Sequence, residues 1–359
     1  MSIKKKKANK YSKAKIAWFP EKLQSFVSGE LTSPIYVRVK PLNRCNHKCF
    51  WCVYHEPEMS NMHKGMDKFD IIPIEKMLDI LDDFKDMGVG AVTYSGGGEP
   101  LMHPDIVDIL KRTKKNNIAL STITNAHFLK GEVAELLSDS SWVRVSIDYF
   151  DEESFIIGRR IKGKNYHKVI ENIKHFAKIK SEDCDFCVNF IITKENYKGI
   201  RKASELLISL GIENIRFSPM WIENFNEYHK DIKDEIIQEL ASIKEDLQTD
   251  RFRIFSSYTD DVFRDDINVR PYARCFVKEF NPVVGADLNI YACHNQAYSS
   301  DSVIASMKDQ SFKEAWFSEE AKKFHTEFDC QSVCVGQCAA DEKNIFLNEL
   351  VQVKGDSFV

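Results

Sequence analysis

The chain has 359 residues, 43% apolar and 29% charged, with a net charge of −4 at pH 7. That length buries the core of one large domain with a small one, or of two medium domains, and the charge balance excludes the global field of a nucleic-acid or membrane-surface binder. No run approaches the ~20 apolar residues of a membrane span. The Lys-rich start has no apolar stretch behind it, unlike a secretory signal, so a cytoplasmic protein is expected. In that reducing compartment the ten cysteines read as metal ligands, catalytic thiols or small core residues rather than disulfides.

In chain order, seven lysines precede the first acidic residue, Glu21. Residues 1–33 read as a basic N-terminal extension, a solvated arm, with contact to an anionic partner as the sharper alternative. From residue 34 short apolar runs alternate with amphipathic stretches. Ile35–Val39, Ala91–Tyr94, Ile118–Ile123, Trp142–Ile147, Phe186–Ile192 and Ile215–Phe217 read as strands. Ile74, Met77, Leu78, Leu81 and Phe84 follow helical spacing, as do Ile106, Ile109 and Leu110, and Val169, Ile170, Ile173 and Phe176. Glu195 to Leu210 makes a further helix closed by Gly211. Such alternation implies parallel strands with helical crossovers. Six units fit where a closed barrel takes eight over ~250 residues. The expected fold is therefore α/β, a partial (βα)6 TIM-like barrel over residues 34–225, with its chemistry at the C-terminal strand ends. Residues 226–269 read as a charged linker or last barrel helix. After about 270 the helical rhythm stops. Residues 270–345 read as a small cysteine-rich domain, with a hairpin from Cys275 to Ala297, and 346–359 as a tail.

Cys45, Cys49 and Cys52 form C-x3-C-x2-C in CNHKCFWC, just past the first strand. Thiolates suit both iron–sulfur clusters and zinc. A structural zinc needs four ligands, which His47 or His55 would complete. A four-iron cluster takes four thiolates, so three leave one iron open. Residues 94–100, YSGGGEP, follow the second strand. Their glycines allow a backbone to approach a ligand closely. Thr124 and Asn125 end the third strand, Ser146 and Asp148 the fourth, and Asn189 lies on the fifth. Such polar groups at a barrel mouth suit hydroxyls or a carboxylate, and Arg159 or Arg160 suits a carboxylate. In the last third, Cys275, Cys293, Cys330, Cys334 and Cys338 point to a metal-stapled subdomain, with structural zinc as the alternative. Cys184 and Cys187 fall in the fifth strand and read as inert core thiols, although Cys187 shares a face with Asn189.

The cysteine loop resembles the cluster loop of the radical S-adenosylmethionine (SAM) superfamily, C-x3-C-x-aromatic-C, with Trp51 at the aromatic position that packs beside adenine. Gly96, Gly97, Gly98 and Glu99 resemble the GGEP motif that grips the amino group of SAM. The resemblance implies a [4Fe-4S] cluster on Cys45, Cys49 and Cys52, chelated by SAM, with Asn125, Ser146, Asp148, Arg159 and Asn189 around the cofactor. The C-terminal cysteines resemble the one-cluster Twitch form of the SPASM auxiliary extension, which implies a second [4Fe-4S] cluster on four of the five. The glycine expected in its hairpin is Leu288 here. The implied activity is reductive cleavage of SAM to a 5′-deoxyadenosyl radical that abstracts hydrogen, with flavodoxin or ferredoxin as electron donor. The expected substrate is a sugar, nucleotide sugar, aminocyclitol or similar small polar metabolite, oxidised or epimerised. The alternatives are a peptide or protein maturase and a non-enzymatic zinc or electron-transfer protein. No nucleic acid, no membrane and no particular catalytic residue is implied.

Overall fold

In each barrel strand the side chains alternate between a helix-facing apolar layer and a polar face. A computed structural model describes residues 12–56, 59, 63, 65–263, 269–336 and 338–353. The parallel strands are β1 (Tyr36–Val39), β2 (Ala91–Tyr94), β3 (Ala119–Thr124), β4 (Trp142–Ser146), β5 (Asp185–Ile192), β6 (Asn214–Pro219) and β7 (Arg253–Ser256). Three short strands follow: β8 (Val283–Val284), β9 (Asn289–Tyr291) and β10 (Val303–Ser306). The sheet order is β10-β9-β8-β1-β2-β3-β4-β5-β6-β7, so the sheet is open. This is the expected partial barrel, one parallel strand longer than six units at the β6 edge. Arg253–Ser256 lies at the end of the stretch read as linker. Its four residues are too short to show a period-two pattern.

Val37, Val39, Val92, Val143, Val145, Phe186, Val188, Ile215 and Phe217 share one core with the crossover helices. Helix Ile74–Asp86 buries Met77, Ile80, Leu81 and Phe84 against that layer. Fully burying such side chains contributes about 1.5–3 kcal/mol each, so the helices stay on the outside of the curved sheet. The opposite face carries Arg38, Thr93, Ser121, Arg144, Cys187, Asn189 and Arg216, because each sits at odd spacing from the core residues of its strand.

Three expectations change. The segment after 270 contains helices Val277–Phe280, Phe312–Trp316, Glu319–Glu327 and Asp341–Gln352. Three of the four have nine residues or fewer, too few for a period to emerge, so periodicity missed them. The hairpin is confined to β8 and β9, with Cys275 lying before a helix. The extension is not a solvated arm where it is described. Helix Pro20–Ser28 buries Phe26 against Phe276, Phe280 and Leu347, with Leu23 and Val27 beside it. Leu347 lies in the stretch read as a tail. The first five lysines, within residues 1–11, and residues 354–359 lie outside the described residues.

Candidate functional site

β1 ends at Val39, and the chain then crosses the C-terminal rim of the barrel carrying Cys45, Cys49 and Cys52. Hydrogen-bond donors point at the sulfurs. The His47 backbone N–H lies 3.5 Å from Cys45 Sγ, the Asn125 amide 3.9 Å from the same atom, and Arg159 Nη1 3.3 Å from Cys49 Sγ. Burial pushes the Cys45 thiol up to about 12 and Cys52 to about 11, and raises Cys49 as well, with Arg159 opposing at Cys49. Thiols so placed give up their protons readily only to a cationic centre. Among the described residues no three His, Cys, Asp or Glu side chains converge as ligands of a single ion, whereas a four-iron cube takes one thiolate at each separate corner.

The glycine run locks onto this loop. The Gly98 N–H donates to Leu42 O (3.1 Å) and the Glu99 N–H to Arg44 O (3.0 Å). A Cβ on Gly98 would stand 1.9 Å from Arg44 O, and one on Gly97 2.1 Å from Asn43 Oδ1. These glycines therefore permit close approach of two loops of the chain, where the sequence suggested approach to a ligand. Glu99 is likewise engaged within the chain. Its Oε1 accepts from Thr124 Oγ1 (2.6 Å) and the Leu101 N–H (3.1 Å), and its Oε2 from the Asn125 N–H (2.7 Å). It thus pins the end of β3 to the glycine loop.

Burial pushes the Glu99 carboxyl up to about 7, although Asn125, Thr124 and Leu101 pull it down. A folded value above the unfolded one means that stability is fully present below about pH 4.5 and is lost as pH rises through about 7. A Glu99→Gln variant has no such proton. The unfolding free-energy difference between parent and variant is expected to shift by about 3 kcal/mol against the parent from pH 4.5 to 8, read by urea denaturation of metal-free protein. A flat difference would show that Glu99 keeps an ordinary value.

Between β4 and β5 stands a buried ion pair. Arg159 Nη2 binds Asp148 Oδ2 (2.6 Å) and Ser146 O (2.5 Å). Asp148 Oδ1 accepts from the Ile191 N–H (2.6 Å). Arg160 instead pairs with Glu56 at 2.7 Å. Trp51 is buried, packed where a Cβ on Gly158 would come within 2.5 Å of its ring, with the Arg159 guanidinium 5.6 Å from the ring centre. Trp51, Asp148, Phe150, Gly158 and Asn196 help to line a cavity of about 220 Å³. Asn189 Oδ1 accepts from Ser218 Oγ (3.2 Å) and pairs in register with Ser146. Ser95 Oγ and Arg159 Nε are buried with no hydrogen-bond partner among the described residues. Two unsatisfied buried groups beside the cysteine loop are what a polar ligand seated there would satisfy. The site thus fits a cluster with SAM.

The second cysteine group gathers from three segments. The Asn344 amide lies 3.5 Å from Cys275 Sγ, and the Ala340 N–H 3.4 Å from Cys338 Sγ. Burial raises Cys293 to about 12, with Cys275 and Cys338 near enough to add to it. Burial raises Cys334 too, with Cys293, Cys275, Cys338 and Cys330 around it in that order. Cys330 is fully buried, its thiol 3.9 Å from Ala273 O. Leu288, in place of the expected hairpin glycine, has φ +65°. The turn needs a left-handed residue there, and leucine occupies it at a strain of about 1–3 kcal/mol.

Sequence reading missed the connection between the two cysteine groups. Lys40 Nζ donates to Gly96 O (2.9 Å) and Tyr54 Oη (2.7 Å), and Tyr54 Oη reaches His294 O at 3.3 Å. Burial drives the Lys40 ammonium well below its usual range, helped by Arg38 and opposed by Cys293 and Cys52. The alternation Tyr36-Val37-Arg38-Val39-Lys40 carried this signal, since it sets charges opposite core valines. Cys184 is buried in the core against Leu137 O (3.8 Å), and Cys187 is buried on the opposite face of β5 against Val143 O (3.6 Å).

Comparison with known proteins agrees with this architecture. Residues 39–207 match the radical SAM superfamily model. The chain is 26% identical over 203 residues to the tungsten-containing aldehyde ferredoxin oxidoreductase cofactor-modifying protein of Pyrococcus furiosus, covering 54% of each. It is 29% identical over 156 residues to a GTP 3′,8-cyclase of Limosilactobacillus fermentum, covering 40% of this chain and 44% of that one. The chain thus spans about half the length of these curated relatives. In fold it is similar to Streptococcus suis SuiB bound to its precursor peptide SuiA (TM-score 0.63, 16% identity, 89% of this chain and 76% of that chain). It is also similar to anSMEcpe with bound AdoMet (TM-score 0.58, 16% identity, 82% and 83%). The superfamily works with a [4Fe-4S] cluster and SAM, and the match over residues 39–207, the open parallel sheet and the cysteine loop at its rim together identify a radical SAM domain within this chain.

Proposed function

We propose that Cys45, Cys49 and Cys52 hold a [4Fe-4S] cluster with SAM against its open iron, and that the enzyme takes a hydrogen atom from a C–H bond of a small polar metabolite such as a sugar, nucleotide sugar or aminocyclitol. The observation that carries this is the interlock of the cysteine loop with the glycine loop, with donors on the sulfurs and Ser95 Oγ and Arg159 Nε left for a ligand. When bound, cluster and SAM supply the hydrogen-abstracting radical after one electron from a flavodoxin or ferredoxin. The chain's residues orient and enclose. Glu99 fixes the β3 end so that Asn125 faces Cys45, Arg159 sets Cys49 and the Ser146 and Asp148 strand end, and Trp51 walls the cavity where adenine would lie. The polar inner face of the barrel, with Asn189, Ser218 and Ser146 along one rim, supports a hydroxyl-rich substrate. We assign the cluster and SAM to residues 34–225 extended by β7. We assign a second [4Fe-4S] cluster to residues 270–345, on Cys275, Cys293, Cys334 and Cys338, with buried Cys330 as the spare thiol. A peptide substrate is the second reading, favoured by the fold likeness to SuiB bound to precursor peptide SuiA.

The test is iron content and 5′-deoxyadenosine release by anaerobically reconstituted, dithionite-reduced protein. The parent is expected to hold close to eight irons, and the Cys45, Cys49 and Cys52 triple Ala variant about half of them, with no release. Stoichiometric zinc without charge-transfer absorption would overturn the reading.

A further inference from the structure

Helix Glu152–Arg159 leaves two neighbouring isoleucines uncovered beside the cysteine loop. Ile156 and Ile157 are 42% and 52% exposed. A lone exposed aliphatic side chain is ordinary, and an adjoining group of them marks a contact surface. Arg159 of the same helix reaches Cys49 Sγ with Nη1 (3.3 Å), and its carbonyl accepts the Lys48 N–H (3.0 Å). Phe50 is half-buried, with the Arg160 guanidinium 5.7 Å from its ring centre, and it borders the same cavity as Ile157 and Trp51. The apolar patch therefore adjoins the cysteine loop. Cations ring it. From Arg160 to Lys180 the chain carries seven lysines and arginines and one acid, Glu171, in a protein of net charge −4. Arg160 pairs with Glu56 and Lys180 with Glu213. Lys48, Lys162, Lys164 and Lys168 are exposed and enter no ion pair among the described residues. Helix Lys164–Ile179 leads into the start of β5, so its first turns stand at the C-terminal rim. Its Asn172 amide donates to Ala126 O (2.9 Å) and His127 O (3.0 Å). The His127 ring lies 6.1 Å from that of His47, between Cys45 and Cys49. Of the nearby acids, Glu56 and Glu152 face Arg160 and His167, which leaves Glu153.

Resting on the proposed reading of the chain as an enzyme that takes one electron from outside, we infer that this face docks a reduced flavodoxin, with Ile156, Ile157 and Phe50 at the centre and Lys48, Lys162, Lys164 and Lys168 at the rim. Such a carrier is acidic, and its flavin presents an apolar dimethylbenzene edge. An apolar centre inside a cationic rim complements both. The rim charges speed encounter, and the isoleucines exclude water once the contact forms. One electron leaves the flavin, which is oxidised by one, and enters the cluster, which is reduced by one. No proton or bond of the chain changes, and the electron enters beside Cys49.

The experiment uses the anaerobically reconstituted full chain with SAM. Calorimetric titration with oxidised flavodoxin reads binding, and 5′-deoxyadenosine release is compared with reduced flavodoxin and with excess dithionite as donor. The double variant Lys162→Glu, Lys164→Glu is expected to weaken flavodoxin binding about tenfold or more at low salt. Its release at subsaturating flavodoxin should fall as far, with iron content and dithionite-driven release as in the parent. Ile156→Gln should weaken binding severalfold. The control Lys174→Glu, Lys178→Glu makes the same charge change about 15 Å further along the helix and should bind nearly as the parent does. Added salt should weaken the parent's binding more than the double variant's. Parent-like binding by the Lys162, Lys164 variant, or an equal loss in the control, overturns the inference. Binding of a ferredoxin but not of flavodoxin overturns it too. Failure of the parent to release 5′-deoxyadenosine with dithionite would instead strike the proposed function, since the titration needs no turnover.

Discussion

An Arg159→Met variant should lose about 3–5 kcal/mol of stability as the metal-free chain, because it strands a buried carboxylate. Arg159 and Asp148 are 4% and 2% exposed. Burial opposes the charge on both, yet Cys49, Asp148 and Tyr149 together hold Arg159 firmly protonated. The guanidinium serves three acceptors on two segments, Asp148 Oδ2 and Ser146 O at the end of β4 and Cys49 Sγ on the cysteine loop. Its removal leaves a strand-end carbonyl and a carboxylate without their donor. Arg159→Lys should recover only part of the loss, since an ammonium cannot present a planar fork to all three. Adding Asp148→Leu to Arg159→Met should cost less than the two single changes summed, as expected of a coupled pair. Urea midpoints of the four proteins check this. Additive losses would mean that the pair is not coupled. The sequence suggested that Arg159 grips the SAM carboxylate. The geometry gives it a prior task, to fix β4, β5 and the middle cysteine relative to one another.

What the sequence disclosed and what it hid follow from the range of the interactions involved. The six strands were legible because each is a run of apolar residues flanked by helical spacing, and both signals are local. β7 was not, since Arg253–Ser256 offers only two core-facing positions, Ile254 among them. The short helices after 270 were hidden for a related reason. Phe312, Ala315 and Trp316 are buried in a five-residue helix, too little for a period to emerge. The cysteine and glycine motifs could be read because their spacing is itself the chemistry. Glu99 looked like a ligand group, and its bonds from Thr124, Asn125 and Leu101 were hidden, since they are contacts set by a register that no local pattern reveals. Lys40, Tyr54 and His294 form their link across 240 residues of sequence separation, so only the fold brings them together. Leu288 is the converse. The sequence seemed to break the hairpin pattern, yet the backbone keeps the left-handed turn with leucine in it.

Substituting Gly98 by alanine should nearly abolish 5′-deoxyadenosine release and should also lower iron loading of the barrel cluster. A methyl there would meet Arg44 O at 1.9 Å and Arg44 C at 2.4 Å, both backbone atoms of the residue before Cys45. Backbone cannot rotate aside as a side chain can, so one loop must move. The Gly98 N–H to Leu42 O and Glu99 N–H to Arg44 O bonds would break with that movement, at about 0.5–1.5 kcal/mol each. The shift would carry Cys45 away from the Asn125 amide. Gly97 differs in kind. Its added methyl would meet the Asn43 side chain and Met66 Sδ, at 2.1 and 3.2 Å, side chains that can yield further than backbone, at the cost of the bonds Asn43 makes with Asp67 O and Tyr298 Oη. Gly97→Ala should therefore keep most of the iron and lose less activity than Gly98→Ala. Iron content, charge-transfer absorption and 5′-deoxyadenosine release of the two variants side by side check the order. Full iron and full cleavage in Gly98→Ala would show that the two loops do not need their close approach, and the interlock would lose its place in the mechanism.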